Sequence, residues 1–492
     1  MNNRINSTGT FLLNYLFPSI KDALFVAILL AVSVQGQMML NADGDLGRHI
    51  TIGNYISDQG KIPTTDIFSH TMYGEALVPH EWFAQWAFGR VHFFAELNGI
   101  VLLISILIAT TFAITYHTIR NNGVFYLIAL IVTILAAFTS SLHWLARPHV
   151  FTFLFIAIWT YSLTDKKSKL WYFPAIMLMW ANTHGAFISG FAIWFAYAAG
   201  WLWDFIQKKT EKAAGVRLLV IGAASFIVTL INPTGWDLWR TSAGYYGNQF
   251  LVNRTVEYLS PNFHNWSTWP FLIMLAICIF GLSLNIKLKT HEAFLLIGWT
   301  ILSLYSARNI PIFAIVTAPY VAATIQAIIS ESSILKRIDS VIESVEKNHK
   351  GIIIPLLAAS LLAATSVSQK GINSANTIDP NKFPVQAVDW IEVNPQEGKM
   401  FNNFIWGGYL LYRTFPENPV FIDGQTDFYG AKLTREYTQV TSLDGGWQVV
   451  LTKHDVSWVI IQSGHPLIHA LENELSWDVV YQDNTATIIH SP

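Results

Sequence analysis

From the N-terminus to about residue 369 the chain alternates long apolar runs with short polar links, and this pattern predicts a bundle of membrane-spanning helices. A span needs about 20 apolar residues. The length rule and the charged links together place about eleven spans, centred near Leu30, Leu107, Ile131, Phe155, Met177, Ile193, Val220, Leu275, Ile297, Val316 and Leu357. A hydrophilic loop, residues 41–80, separates the first two. The stretch from Glu81 to Ala95 is rich in aromatic residues and predicts a helix lying at the membrane interface. Asn182-Thr183-His184-Gly185 interrupts an apolar run and predicts a tight turn between two short helices. Beyond Gln369 the pattern changes to short apolar runs between turn residues. Val420–Ile422, Trp458–Ile461 and Thr487–Ile489 read as strands, and Val385–Val393, Gly408–Arg413 and Pro466–Leu471 as helices. The organisation expected is a transmembrane domain, 1–369, followed by a small α/β domain, 370–492, of a size able to fold alone.

Composition agrees: 52% of residues are hydrophobic and 13% charged, where a soluble protein carries about a quarter charged. The net charge of -2, without a basic block, argues against nucleic acid as a partner. Cys278 is the single cysteine, so there is no disulfide framework. Basic residues set the orientation. With the N-terminus inside, the cytoplasmic links hold Arg4, Lys21, Arg120, Lys166, Lys167, Lys169, Lys208, Lys209, Lys212, Arg217, Lys287, Lys289, Lys336, Arg337, Lys347 and Lys350. The opposite side up to the last span holds Arg48, Lys61, Arg90, Arg147, Arg240, Arg254 and Arg308. That positive-inside bias puts the 41–80 loop and the C-terminal domain outside the cytoplasm, with the N-terminus in it.

On this topology the titratable residues near the spans gather at the exterior face. Asp43, Asp45, His49, His80 and Glu81 belong to the first loop. Arg147 and His149 precede the fourth span, Asn182 and His184 sit in the turn, Glu257 lies in a long loop and Arg308 in a short link. Carboxylates beside hydrocarbon are costly unless paired, hydrated or used. Each group also has a plainer reading. Asp43 and Asp45 can be a turn around Gly44, His80-Glu81 a helix N-terminus favoured by its dipole, Arg147 and His149 interfacial anchors, and Arg308 half of an ion pair. Asp423 and Asp427 read as a turn at a strand end.

The ordered motifs resemble the GT-C superfamily of polytopic glycosyltransferases, and within it a bacterial branch. They are Asp43-Gly44-Asp45 with His49, Pro63, Asp66-Ile67-Phe68-Ser69, His80-Glu81-Trp82, Arg147-Pro148-His149, Asn182-Thr183-His184-Gly185, Asn232-Pro233-Thr234-Gly235 and Ala307-Arg308-Asn309, with Trp406-Gly407-Gly408-Tyr409 and Phe421-Ile422-Asp423-Gly424 in the C-terminal part. Gly47-Arg48 departs from the pattern, where aromatic residues precede the histidine. The resemblance implies a mainly α-helical membrane enzyme that moves a sugar from a polyprenyl-phosphate donor to a lipid, glycan or protein acceptor, with inversion. It would work at the extracytoplasmic face of a bacterial inner membrane, in cell-envelope synthesis. It further implies acidic residues of the first exterior loop at the reacting centre: Asp43 as base, and Asp45 either orienting it or holding a divalent metal, Mg or Mn. Arg308 and Arg147 would meet the leaving phosphate, with His149 and His184 donating to the donor headgroup. His49, His80, Glu81, Asn182 and Glu257 complete the expected substrate-binding set.

Three other readings compete. An exterior polymerase or ligase of lipid-linked glycans would depend more on arginine and histidine than on a carboxylate. A non-catalytic membrane scaffold would leave the Asp43 loop without a purpose. A transporter would place ionisable groups at mid-bilayer and show related halves, whereas these groups collect at one face.

Overall fold

The computed structural model describes residues 17–492 apart from 166, 248–249, 251–255, 285, 287, 330, 348–350 and 368–375. The expected boundary at Gln369 and the basic residues Arg4, Lys166, Arg254, Lys287 and Lys350 lie outside the described residues. The architecture is mainly helical, with one small mixed sheet near the C-terminus.

Helix α1 (Ile20–Val34) starts at Ser19, whose hydroxyl accepts the Asp22 amide while the Asp22 carboxylate takes the Ser19 amide. This reciprocal pairing satisfies two of the amides that a helix start leaves open. Helix α2 (Asp45–Gln59) is formed by the first loop itself, and Gly60 ends it in the left-handed conformation. The apolar bundle follows as α3 (Trp82–Asn121), α4 (Tyr126–Ser140), α5 (His149–Thr164), α6 (Tyr172–Ala181), α7 (Ile188–Ile206), α8 (Lys212–Thr229), α9 (Trp269–Ser283), α10 (Thr290–Tyr305), α11 (Ile310–Ile329), the amphipathic α12 (Ser333–Glu346) and α13 (Ile353–Val367).

Every expected span centre lies on a helix, yet six helices among the described residues are long and apolar enough to cross a membrane. The other five centres fall on α1, α5, α6, α10 and α13, the shortest of which, α6, has 10 residues. At 1.5 Å per residue α6 is about 15 Å long, half the thickness of a bilayer core. The polar turn after it is therefore a place where the chain stops short. The expected interfacial helix and the next span form one element, α3, bent where Ala95 and Glu96 leave helical geometry, Glu96 at φ 48°.

Helices α14 (Val385–Val393), α15 (Gly407–Thr414), α16 (Thr426–Thr441), α17 (Trp447–Lys453) and α18 (Pro466–Leu475) surround a four-stranded sheet. Its strands β1 (Lys399–Asn402), β2 (Val456–Gln462), β3 (Asp478–Gln482) and β4 (Ala486–His490) run in the order β1-β2-β4-β3. The β1–β2 pair is parallel and the β2–β4 and β4–β3 pairs are antiparallel. Val420–Ile422, expected as a strand, stands outside this sheet. Val420 makes an isolated bridge with Ser69 of the first loop, its amide donating to the Phe68 carbonyl at 3.1 Å. The apolar run is buried, Val420 in a cluster shared with the first loop and Phe421 and Ile422 among C-terminal residues such as Phe401 and Val459.

That contact belongs to a shared core. Ile52, Phe68 and Leu77 of the first loop pack in one cluster with Phe383, Met400, Leu410 and Trp458 of the C-terminal part. The two segments cannot be separated without exposing this cluster to water. Gly47 shows how close they come, since a Cβ there would sit 2.3 Å from the Gly408 carbonyl oxygen. An aromatic residue at position 47 is excluded by this packing.

Candidate active site

The site is assembled from helix ends. The Asp45 amide, at the start of α2, donates to Asp43 Oδ1 at 3.0 Å and so orients the Asp43 carboxylate from outside the helix. Asp45 stands in the first turn, where the helix dipole favours an anion. The backbone link before α5 brings Arg147 across to both acids: Nη2 lies 2.6 Å from Asp45 Oδ2, and Nη1 lies 3.5 Å from Asp43 Oδ2. Nη1 is also 3.6 Å from Glu257 Oε2. The other oxygen of Glu257 accepts from Arg308 at 3.1 Å, and Arg308 bonds and faces the Tyr258 phenol. Glu257 thus bridges the two guanidinium groups.

A second layer is centred on Glu81, which lies 3.7 Å from Arg48, 3.8 Å from His49 and 3.7 Å from His184. Arg48 continues to the C-terminal part, donating to Gln425 Oε1 at 2.7 Å with its Nε 3.8 Å from Asp423. Gly424 lies against Asp45; a Cβ on it would fall 1.7 Å from Asp45 Oδ1.

Electrostatics follow from this packing. Burial, opposed by Arg147 and reinforced by Asp45, pushes the Asp43 carboxyl up to about 6. Burial likewise raises Asp423 to about 6 against the pull of Arg48. Glu257 goes the other way: burial would raise it, but Arg308 and Arg147 hold it at about 2. His49 and His184 are held well below the usual imidazole range, first by burial and then by the neighbouring arginines. Both are neutral at pH 7. Asp43 Oδ2 is buried, and among the described residues it has no hydrogen-bond partner. It faces Arg147 Nη1 at 3.5 Å, and a buried oxygen without a hydrogen bond is costly in the resting arrangement.

These groups line a cavity of about 1240 Å³, closed on one side by helix ends of the bundle and on the other by Asn403–Ile405, Gly424–Asp427 and α16. Compared with solved structures, the chain is similar to the oligosaccharyltransferase AglB of Archaeoglobus fulgidus in complex with an inhibitory peptide and a dolichol-phosphate. The TM-score is 0.61 at 12% identity, over 92% of this chain and 70% of that one. It is similar also to apo ArnT from Cupriavidus metallidurans, at TM-score 0.53 and 12% identity, over 95% and 97% of the two chains. The fold is that of the GT-C glycosyltransferases. No protein-family model matches the chain, and no curated protein sequence does.

Asp43, Asp45, His80, Glu81, Arg147, His184, Glu257 and Arg308 all line the cavity. His49, His149 and Asn182 stand behind the lining. His49 lies between Glu81 and Gln85, and His149 bonds the His143 carbonyl at 2.8 Å. The Asn182 amide donates to the carbonyls of Leu178 and Ile231, while its oxygen accepts the Trp82 indole N–H at 2.7 Å. Asn182 therefore ties α6, the link after α8 and the start of α3 together. Asp66 and Asn232 are similar, each closing its own loop onto nearby backbone amides.

Sequence reasoning missed Arg48 and Gln425, and read Asp423 as a turn. The available signal was the spacing of Asp45, Arg48 and His49, which shares one face of a helix once the loop is seen to start one. Among the described residues no three His, Cys, Asp or Glu side chains converge to hold a divalent ion. Asp45, the expected ligand, has Oδ2 paired with Arg147 and would need Arg147 to let go.

Proposed function

We propose that the chain is an inverting glycosyltransferase that moves a sugar from a polyprenyl-phosphate donor to an acceptor at the extracytoplasmic face of a bacterial inner membrane. The observation that supports the reading is Asp43: a carboxylate raised to about 6, ionised at pH 7, on the wall of a large cavity beside two arginines, with Oδ2 facing Arg147 at 3.5 Å and without a hydrogen-bond partner among the described residues. A base matched to the working pH is what proton removal from an acceptor requires.

In this mechanism Asp43 Oδ2 takes the proton of the acceptor's nucleophilic group. That group attacks the anomeric carbon from the face opposite the phosphate, the bond to the phosphate oxygen breaks, and the configuration inverts. Polyprenyl phosphate leaves carrying the bonding electron pair. Arg147 and Arg308, which share Glu257 in the resting arrangement, exchange that carboxylate for the phosphate oxygens, a geometry guanidinium matches bidentately. Asp45 holds Arg147 in place and, through its amide, holds Asp43. His184, neutral and on the cavity wall, is able to donate to the donor headgroup. The similarity to a glycosyltransferase solved with a dolichol-phosphate supports a lipid-phosphate donor.

The test is sugar transfer in proteoliposomes from radiolabelled polyprenyl-phosphate sugars, wild type against Asp43→Asn. Turnover that disappears in the variant supports the carboxylate base; full activity in Asp43→Asn sinks it.

A further inference from the structure

Resting on that transferase reading, we propose that the acceptor is a neutral glycan, and that the α16 wall of the C-terminal part binds its hydroxyl groups. The cavity is chemically divided. Arg48, Arg147 and Arg308 belong to the bundle side, whereas none of the described lining residues between 403 and 438 is Lys, Arg or His. Nearby Arg435 faces the Phe250 ring at 4.6 Å. An anionic acceptor would have no counter-charge on this wall, and Asp427 would repel it.

The wall presents hydrogen-bond acceptors. Thr434 and Thr438 are one helical turn apart on α16 and both line the cavity. Each hydroxyl proton is already engaged by the helix itself: Thr434 Oγ1 donates to the Gly430 carbonyl and Thr438 Oγ1 to the Thr434 carbonyl, both at 2.8 Å. The hydroxyl oxygens therefore offer lone pairs, and the Asp427 carboxylate adds more. Such a surface calls for a ligand rich in donors. Residues at i and i+4 are roughly 5–6 Å apart, about the width of one sugar ring. A peptide bound by strand addition needs a strand edge, and no residue of the four strands lines this cavity.

Position and size agree. Gly424, at the start of this wall, touches Asp45, so a ligand on α16 has its near end beside the acidic pair. The cavity of about 1240 Å³ exceeds the roughly 300–1,000 Å³ of pockets that hold one drug-sized ligand. It has room for a donor headgroup and more than one acceptor sugar.

The experiment is retention of the full-length protein, in lipid nanodiscs, on an array of neutral oligosaccharides, uronic-acid oligosaccharides and peptides. Wild type, the double variant T434V/T438V and the conservative T434S/T438S are compared. Neutral glycans should hold wild type and T434S/T438S alike, and T434V/T438V about tenfold more weakly, as expected for two lost hydrogen bonds. Equal retention of T434V/T438V, retention on peptides or acidic glycans instead, or no glycan retention by wild type would each overturn the proposal. Asp43-dependent release of donor sugar to water, measured separately, reads the transferase chemistry without any acceptor. Failure of the glycan wall and failure of the transferase reading are thereby distinguished.

Discussion

Replacing Arg147 by Gln should move the acid limb of the pH–rate profile upward. A base works when deprotonated, so with Asp43 at about 6 the wild type should lose kcat/KM as pH falls through about 6. Arg147 Nη1 stands 3.5 Å from Asp43 Oδ2 and favours its charged form. At that distance a unit charge pair is worth about 1.2 kcal/mol even at the dielectric constant of water, and about 5 kcal/mol at an effective value near 20. Since one pKa unit is about 1.36 kcal/mol, removing the charge should lift Asp43 by at least about 0.9 unit. Unpairing Asp45 adds to the shift, because its negative charge also opposes ionisation of Asp43. The acid limb of Arg147→Gln is thus expected near pH 7 or above, while Arg147→Lys keeps the charge and should stay close to wild type. The overall rate will fall in Arg147→Gln if the side chain also meets the phosphate, so the readout is the position of the limb and not its height. A polyprenyl-phosphate sugar is a phosphodiester and does not titrate in this range. Transfer would be measured in proteoliposomes from pH 5 to 9. A limb that stays at 6, or moves down, in Arg147→Gln would refute Asp43 as the base held by Arg147.

Three further outcomes are expected. Glu257→Gln removes the anion that neutralises both guanidinium groups, so polyprenyl phosphate should inhibit about tenfold more strongly, as for a charge-assisted bond gained; unchanged product inhibition would argue against a phosphate site between Arg147 and Arg308. Gly424→Ala places a carbon where Asp45 Oδ1 now lies and should cost about 1–3 kcal/mol, seen as a lower thermal midpoint with loss of transfer, whereas a variant as stable and active as wild type would contradict the close approach. Chelator should leave transfer intact after dialysis, because Asp45 is engaged by Arg147; activity abolished by EDTA and restored by Mg or Mn would show that Arg147 yields to a metal.

Much of the bundle was legible because each apolar run carries its own instruction: a backbone in hydrocarbon must satisfy its hydrogen bonds locally, and a helix does so. The Asn182 turn and the bend after Ala95 were visible for the same reason, as polar or irregular breaks in otherwise apolar runs. Span lengths were less legible. Hydropathy does not reveal where the chain turns back, and α6 stops at half a bilayer because Asn182 is fastened to Trp82 and Ile231. In the C-terminal part, β1 and β3 went unrecognised. One of the three runs expected as strands, Val420–Ile422, instead bridges through Val420 to Ser69 of the first loop, a partner some 350 residues away that no local pattern announces.

The candidate site divides in the same manner. Sequence by itself determined that acids, arginines and histidines collect at the ends of apolar helices, since charge is excluded from hydrocarbon and must gather where spans end. It also determined that Asp43, Asp45, Arg147 and Arg308 are the groups to examine. Only the tertiary structure decided their relations. Glu257 lies between two arginines, Arg48 reaches across to Asp423 and Gln425, and Asn182, His49 and His149 stand behind the lining. The C-terminal part supplies a wall of the cavity through contacts close enough to require glycine at 47 and 424. Where a side chain can sit follows from local chemistry along the chain, but which partner it meets, and what pKa it takes, depends on distances between segments that are remote in sequence and adjacent only once folded.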